Sequence, residues 1–209
     1  MPNWHVKKYG GYDRTSTEAK ENADMMRAWL NARGWTDNAI AGLLGNVSVE
    51  SAYNPWRWQG DVVLSSSDPN VDISSAHAYG LFQFDPAGKY AHSQTAAAYT
   101  GFGPNYDNVV GSTLDGEAQL RFIDEGHGGY YPTANYDLTL AQFKASMLPA
   151  ESLASAWLYN YERPADPSAT EAVRRENARY WLDYFGGHPT PGSLPVWMLY
   201  QIKKRRRKL

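Results

Sequence analysis

The stretch from Asp37 to Glu50 constrains this chain most. Thr36 is suited to cap a helix and Asp37 to sit at its positive end. Ile40, Leu43, Leu44 and Val47 then recur at helical spacing as a buried stripe. Gly42 and Gly45 lie inside this helix, where a glycine costs up to about 1 kcal/mol relative to alanine. Such a cost is carried for close approach, either of a neighbouring helix or of a ligand. Glu50 stands at the far end, three residues after Val47 and seven after Leu43, on or beside the stripe. Asn54 and Pro55 close the segment, since proline disfavours a helical residue before it.

Two local effects favour a protonated Glu50. The apolar stripe strips water from the carboxyl, and the helix end presents partial negative charge to it. A general acid needs that protonated form. The competing reading of the same residue is an exposed helix end, or an ion pair with Arg57.

The surrounding pattern is mostly helical. Ser16 or Thr17 caps a first helix, with Glu18 and Glu21 in its opening turn and Ala23, Met26 and Leu30 on its apolar face. Further helices are expected over 87–99, 114–125, 140–148, 150–161 and 168–185, each bounded by glycine or proline. Val62, Val63 and Leu64 read as a short strand. Residues 79–85 alternate and are aromatic, so they read as a short strand or an extended turn. The expected class is therefore α+β, mostly helical, with a small extended segment. Residues 1–16 are expected as a loosely held arm, 17–187 as the folded body, and 188–209 as a Pro/Gly linker and basic tail.

Composition narrows the chemistry. The absence of cysteine excludes disulfides, zinc–thiolate sites and cysteine nucleophiles. The five histidines are scattered without ligand spacing, and neither a phosphate-binding loop nor a Gly-x-Ser-x-Gly elbow is present, so no metal or cofactor is expected. Six basic residues between Lys203 and Lys208 stand against a net charge of −2, which leaves −8 on the remainder. An acidic body argues against nucleic acid as a partner. The tail reads as a solvated end, as a contact for anionic membrane or wall polymer anchored by Trp197 and Tyr200, or as a dock for an assembly partner. No signal peptide and no membrane span are expected.

Two later stretches bear on Glu50. Gln83 follows Gly80, Leu81 and Phe82, and its amide suits a sugar hydroxyl or N-acetyl group. Tyr159, Asn160, Tyr161, Glu162, Arg163 and Pro164 form the other; taken alone, these aromatics read as core, and Glu162 reads as a structural partner of Arg163 or of an arginine on the last helix.

The order of these stretches resembles the lysozyme-like superfamily, in which goose-type lysozymes and lytic transglycosylases carry comparable signals. The chain is more closely similar to the phage tail lysozyme family over roughly residues 20–185. The similarity is carried by Ala41 to Asn46 with Glu50, Ser51, Asn54 and Pro55, then Tyr79 to Gln83, Leu114 to Phe122, and Tyr161 to Ser168. It implies a lysozyme-like catalytic domain that cleaves the β-1,4 bond between N-acetylmuramic acid and N-acetylglucosamine in peptidoglycan. It implies Glu50 as the acid, with Tyr79, Gln83, Asn160 and Tyr161 as substrate-binding residues. A second carboxylate has no motif of its own, and Asp61, Asp68, Asp72 and Asp85 are the candidates. The implied setting is a phage virion, with other tail or assembly proteins as neighbours and delivery to the bacterial wall. A lytic transglycosylase, a free endolysin and a non-catalytic wall-binding tail component are the alternatives.

Overall fold

The computed structural model describes residues 4–7, 9–61, 77–87, 90 and 114–187. Among these, the architecture is helical. In chain order the helices are α1 (Thr17–Asn31), α2 (Asp37–Glu50), α3 (Leu114–Asp124), α4 (Leu140–Lys144), α5 (Ala150–Trp157) and α6 (Ser168–Gly187). A 3-10 turn covers Gln59–Asp61, and α5 runs on into a π turn at Leu158–Glu162.

Helix α2 is the hub and packs most extensively on α6 and α5. Ser16 caps α1 by accepting from the Ala19 amide, and Thr36 caps α2 by accepting from the Ala39 amide. Every residue of α2 from Ala39 to Val47 is buried. A Cβ on Gly42 would lie 2.8 Å from Leu153 Cβ on α5. A Cβ on Gly45 would lie 2.3 Å from the Arg174 carbonyl oxygen on α6. Both glycines therefore serve helix crossings rather than a ligand. Arg27 ties α1 to α2 through two bonds to the Asp37 carboxylate, at 2.9 and 2.6 Å.

Several expectations are corrected. The N-terminal arm is packed where it is described. Trp4 is buried, a Cβ on Gly116 would sit 2.2 Å from its ring, and the Tyr12 amide donates to the Ala52 carbonyl. The extended segment forms no strand among the described residues; it contributes isolated bridges, Trp58 with Tyr79 and Tyr79 with Phe84. The reason is local: Gly80 at φ 86° and Gln83 at φ 44° reverse the chain, so Tyr79 and Phe84 pair with each other. The helix expected over 140–148 stops at Lys144, whose carbonyl accepts the Thr36 amide. The strand expected at 62–64, almost all of the helix expected over 87–99, and the tail 188–209 lie outside the described residues. Among the described residues no helix is long and apolar enough to cross a membrane.

The aromatic content goes largely into the core. Trp157 contacts Trp35, Phe143, Tyr130 and Tyr161, and Tyr79, Phe84, Tyr90 and Phe122 form a second group.

Gly45→Ala separates two opposing effects. Helix propensity alone predicts a gain of up to about 1 kcal/mol. The contact with the Arg174 backbone predicts a loss of about 1–3 kcal/mol from overpacking. Urea unfolding should show the loss; a gain would mean that the crossing has room for a methyl group.

Candidate active site

Glu50 is the last residue of α2, and its side chain keeps 19% of its surface exposed. The chain then leaves the helix through Ala52 and Tyr53, both in the left-handed region at φ 47° and 64°. Arg174 of α6 donates from Nη2 to Glu50 Oε1 at 2.6 Å. The arginine itself is almost wholly enclosed, with 3% of its side chain exposed. Its Nη1 donates to Asn46 Oδ1 at 2.9 Å and its Nε to Thr170 Oγ1 at 3.0 Å. Asn46 is held in turn, because its Nδ2 donates to the Gly42 and Ala154 carbonyls. A buried guanidinium must be paired and hydrogen-bonded to be tolerated, and each of its nitrogens has an acceptor here.

The ion pair expected as the competing reading of Glu50 does form, but with Arg174. Arg57 instead faces Asp61 Oδ1 at 3.1 Å. Asp61 also accepts the Gly10 amide, so this candidate for the second carboxylate is engaged elsewhere. Asp85 is exposed, and Asp68 and Asp72 lie outside the described residues.

A different acid lies within electrostatic range of Glu50. Glu162 closes the π turn after α5, and its Oε1 accepts from the Trp157 indole at 2.9 Å. Burial and then the negative charge of Glu50 push its carboxyl well above the ordinary value of 4.5, while Arg174 and the Trp157 bond pull the other way. Sequence reasoning set Glu162 aside as structural. An ion pair with Arg163 or with an arginine of the last helix was the expected option, whereas the hydrogen-bond partner of Glu162 is Trp157; its position relative to Glu50 had no local signal, because α2 and α5 meet across more than a hundred residues.

The π turn is braced from behind. Asn160 is fully buried and spends its amide completely. Its Oδ1 accepts from the Thr133 amide and hydroxyl, and its Nδ2 donates to Tyr130 Oη and the Tyr136 carbonyl. Arg163 at φ 49° ends the turn and returns its amide to the Leu158 carbonyl. Tyr161 stacks on Trp157 with ring centroids 4.5 Å apart. Its buried hydroxyl has no hydrogen-bond partner among the described residues and abuts Gly128, where a Cβ would lie 2.3 Å from it.

The other expected site residues support this arrangement in different ways. Tyr79 is fully buried against Trp58. Gln83 is half-buried and donates from Nε2 to the Arg57 and Gly80 carbonyls, closing its own turn. Gly80 meets Gln119 of α3, whose Oε1 a Cβ would approach to 2.3 Å. Gln119 accepts from the Leu81 amide at 2.7 Å and donates to the Pro55 carbonyl at 2.8 Å. One buried amide therefore bolts the 80–83 turn to the turn that follows Glu50. Tyr79 and Asn160 have no surface to offer a ligand in this arrangement and act as scaffold. Among the described residues no cluster of three or more acids or histidines is placed to hold a metal ion.

The raised Glu162 carboxyl has a signed consequence for stability. The folded chain holds this proton to higher pH than the unfolded chain, so stability falls as pH rises from about 4.5 through the folded value. Glu162→Gln cannot ionise and keeps the acceptor for Trp157. Urea midpoints measured between about pH 4 and about pH 8 should show the variant gaining on wild type as pH rises. A constant difference would mean that Glu162 ionises normally.

Comparison with known proteins follows the same stretches. The model of the phage tail lysozyme family matches residues 20–185. The chain is also 32% identical over 178 residues to Morphogenesis protein 1 of Bacillus phage B103, an alignment that covers 84% of this chain. It spans 42% of that relative's length.

Proposed function

The chain belongs to the phage tail lysozyme family, and on that footing we propose that it is a peptidoglycan hydrolase with Glu50 as its general acid. The proposed substrate bond is the β-1,4 link between N-acetylmuramic acid and N-acetylglucosamine, and the proposed setting is a virion that opens the wall locally during entry. Other tail proteins as neighbours, and the basic run of residues 203–208 as a contact for anionic lipid or wall polymer, belong to the same proposal.

The observation that carries it is the Glu50 carboxyl, partly exposed at the end of a buried helix and fixed in place by Arg174. In the proposed reaction Glu50 gives its proton to the glycosidic oxygen as the C–O bond breaks and the bonding pair leaves with that oxygen. Positive charge grows on the sugar ring, and water completes the reaction. The Gln83 and Tyr161 segments are the proposed walls of the cleft.

A second reading is a wall-associated structural component without catalysis. The name of the phage B103 relative, a morphogenesis protein, favours it. Glu50→Gln decides between the two. Loss of a positioned general acid should slow the clearing of a cell-wall suspension by about 10²-fold or more, with an unchanged circular dichroism spectrum. Equal clearing by the two proteins would mean that Glu50 is not the acid, and no clearing by the wild type would favour the structural reading. Mass analysis of the muropeptides should show products carrying one added water; anhydro products lacking it would identify a lytic transglycosylase.

A further inference from the structure

We propose that the N-terminal arm is a strap that positions Glu50, with Gly11 and Arg14 as positioning residues that act through the backbone on either side of it. This rests on the reading of Glu50 as the acid.

The backbone just after Glu50 is the part of the site that needs outside support. Ala52 and Tyr53 stand consecutively in the left-handed region, at φ 47° and 64°, where a side chain is disfavoured. Such a pair persists only where the surrounding structure over-determines it. Glu50 is the last helical residue, and the Ser51 amide and hydroxyl close the helix on the Val47 carbonyl. A turn released from its conformation would fray the end that carries the acid.

The contacts that hold the turn come from the arm. The Tyr12 amide donates to the Ala52 carbonyl at 2.8 Å. Asn22 of α1 is fully buried and donates from Nδ2 to the Tyr53 carbonyl at 2.8 Å and to the His5 carbonyl at 2.9 Å, so one amide clasps turn and arm together. Asn54, also fully buried, donates from Nδ2 to the Lys7 and Gly10 carbonyls at 2.9 and 2.7 Å, and its Oδ1 accepts from the Lys7 amide at 3.3 Å. Gly11 marks the crossing. A Cβ there would lie 2.4 Å from Ala52 Cβ and 2.5 Å from the Ser51 carbonyl oxygen, so the arm lies directly on the turn only because this residue has no side chain.

A second path reaches the other side of Glu50. Arg14 donates from Nη1 to Asn177 Oδ1 on α6 at 2.5 Å. Asn177 donates from Nδ2 to Ser48 Oγ at 2.8 Å, and Ser48 Oγ donates to the Gly45 carbonyl at 2.6 Å within α2. Arg14 is itself held, since its Nη2 donates to Glu176 at 2.8 Å and its carbonyl accepts from the Tyr180 hydroxyl at 3.2 Å. The arm thus grips the end of α2 at Ser48, before the acid, and at Ala52, after it. Arg174 fixes the Glu50 carboxyl, and the arm fixes the backbone that carries it.

The test is steady-state kinetics of the full chain on soluble labelled peptidoglycan. Gly11→Ala must lift the arm from the Ser51–Ala52 backbone, and kcat should fall about tenfold or more with KM unchanged. Arg14→Ala alters a side chain that is 32% exposed, so the chain should fold, and kcat should again fall at constant KM. Gly34→Ala is the control. It lies beyond the end of α1 at φ 86°, where an added Cβ meets nothing within 4 Å, so it introduces backbone strain away from the site. It should lower the melting temperature and leave kcat at the wild-type value. A wild-type kcat in a folded Gly11→Ala or in Arg14→Ala, or an equal loss of kcat in Gly34→Ala, would overturn the proposal.

Amide hydrogen exchange of the unaltered protein needs neither a variant nor activity. The Tyr12 and Ser51 amides should be protected to within about tenfold of each other, because strap and turn open as one unit. A larger gap would mean that they open separately, which removes the strap and leaves Glu50 as the acid. A fully active Glu50→Gln would instead remove the reading beneath it.

Discussion

The arrangement depends on one buried charge. Arg174 enters where α6 crosses α2, and Gly45 lets its backbone approach closely enough for the side chain to reach back along α2. From there it touches Asn46 and, one turn later, Glu50. A guanidinium removed from water is costly unless its donors are met, so the crossing is specified by Asn46 and Glu50, while Thr170 meets the remaining donor from within α6. The same contacts that make the crossing tolerable also fix the acid.

The rest of the fold serves to present that group from three directions. Helix α2 supplies Glu50, α6 supplies Arg174, and the π turn after α5 supplies Glu162. A π turn shifts the side chains that follow it relative to a continuous α-helix, and such turns are frequent at functional sites. Asn160 holds this one in place by satisfying four groups at once. On the opposite flank, Gln119 links the Gly80–Gln83 turn to Pro55. Asn160 reads as a binding residue in the sequence, yet its amide, like that of Gln119, holds backbone in place.

Much of the fold was legible. Caps at Ser16 and Thr36, the apolar stripe of α2 and the bounds of α1, α2, α3 and α6 follow from local chemistry, and the structure agrees within a residue or two. The two glycines of α2 announced a close approach, and the structure shows that the approach is by helices. Trp4 was missed because one aromatic in a polar stretch has no periodicity to reveal it. Residues 79–85 were ambiguous because alternation is shared by strands and aromatic turns; the positive φ at Gly80 and Gln83 resolves it.

The sequence by itself determined the helices, the acid at the end of the central one, and a set of stretches in an order characteristic of one family. These depend on residues within a few positions of each other, where periodicity and capping operate. Only the tertiary structure decided what faces Glu50. Arg174 and Glu162 lie more than a hundred residues away along the chain, and an ion pair leaves no local pattern at either end. A charged group gains a fixed partner only when the fold brings distant elements together and removes the water that would otherwise screen the pair, and burial is a property of the assembled fold.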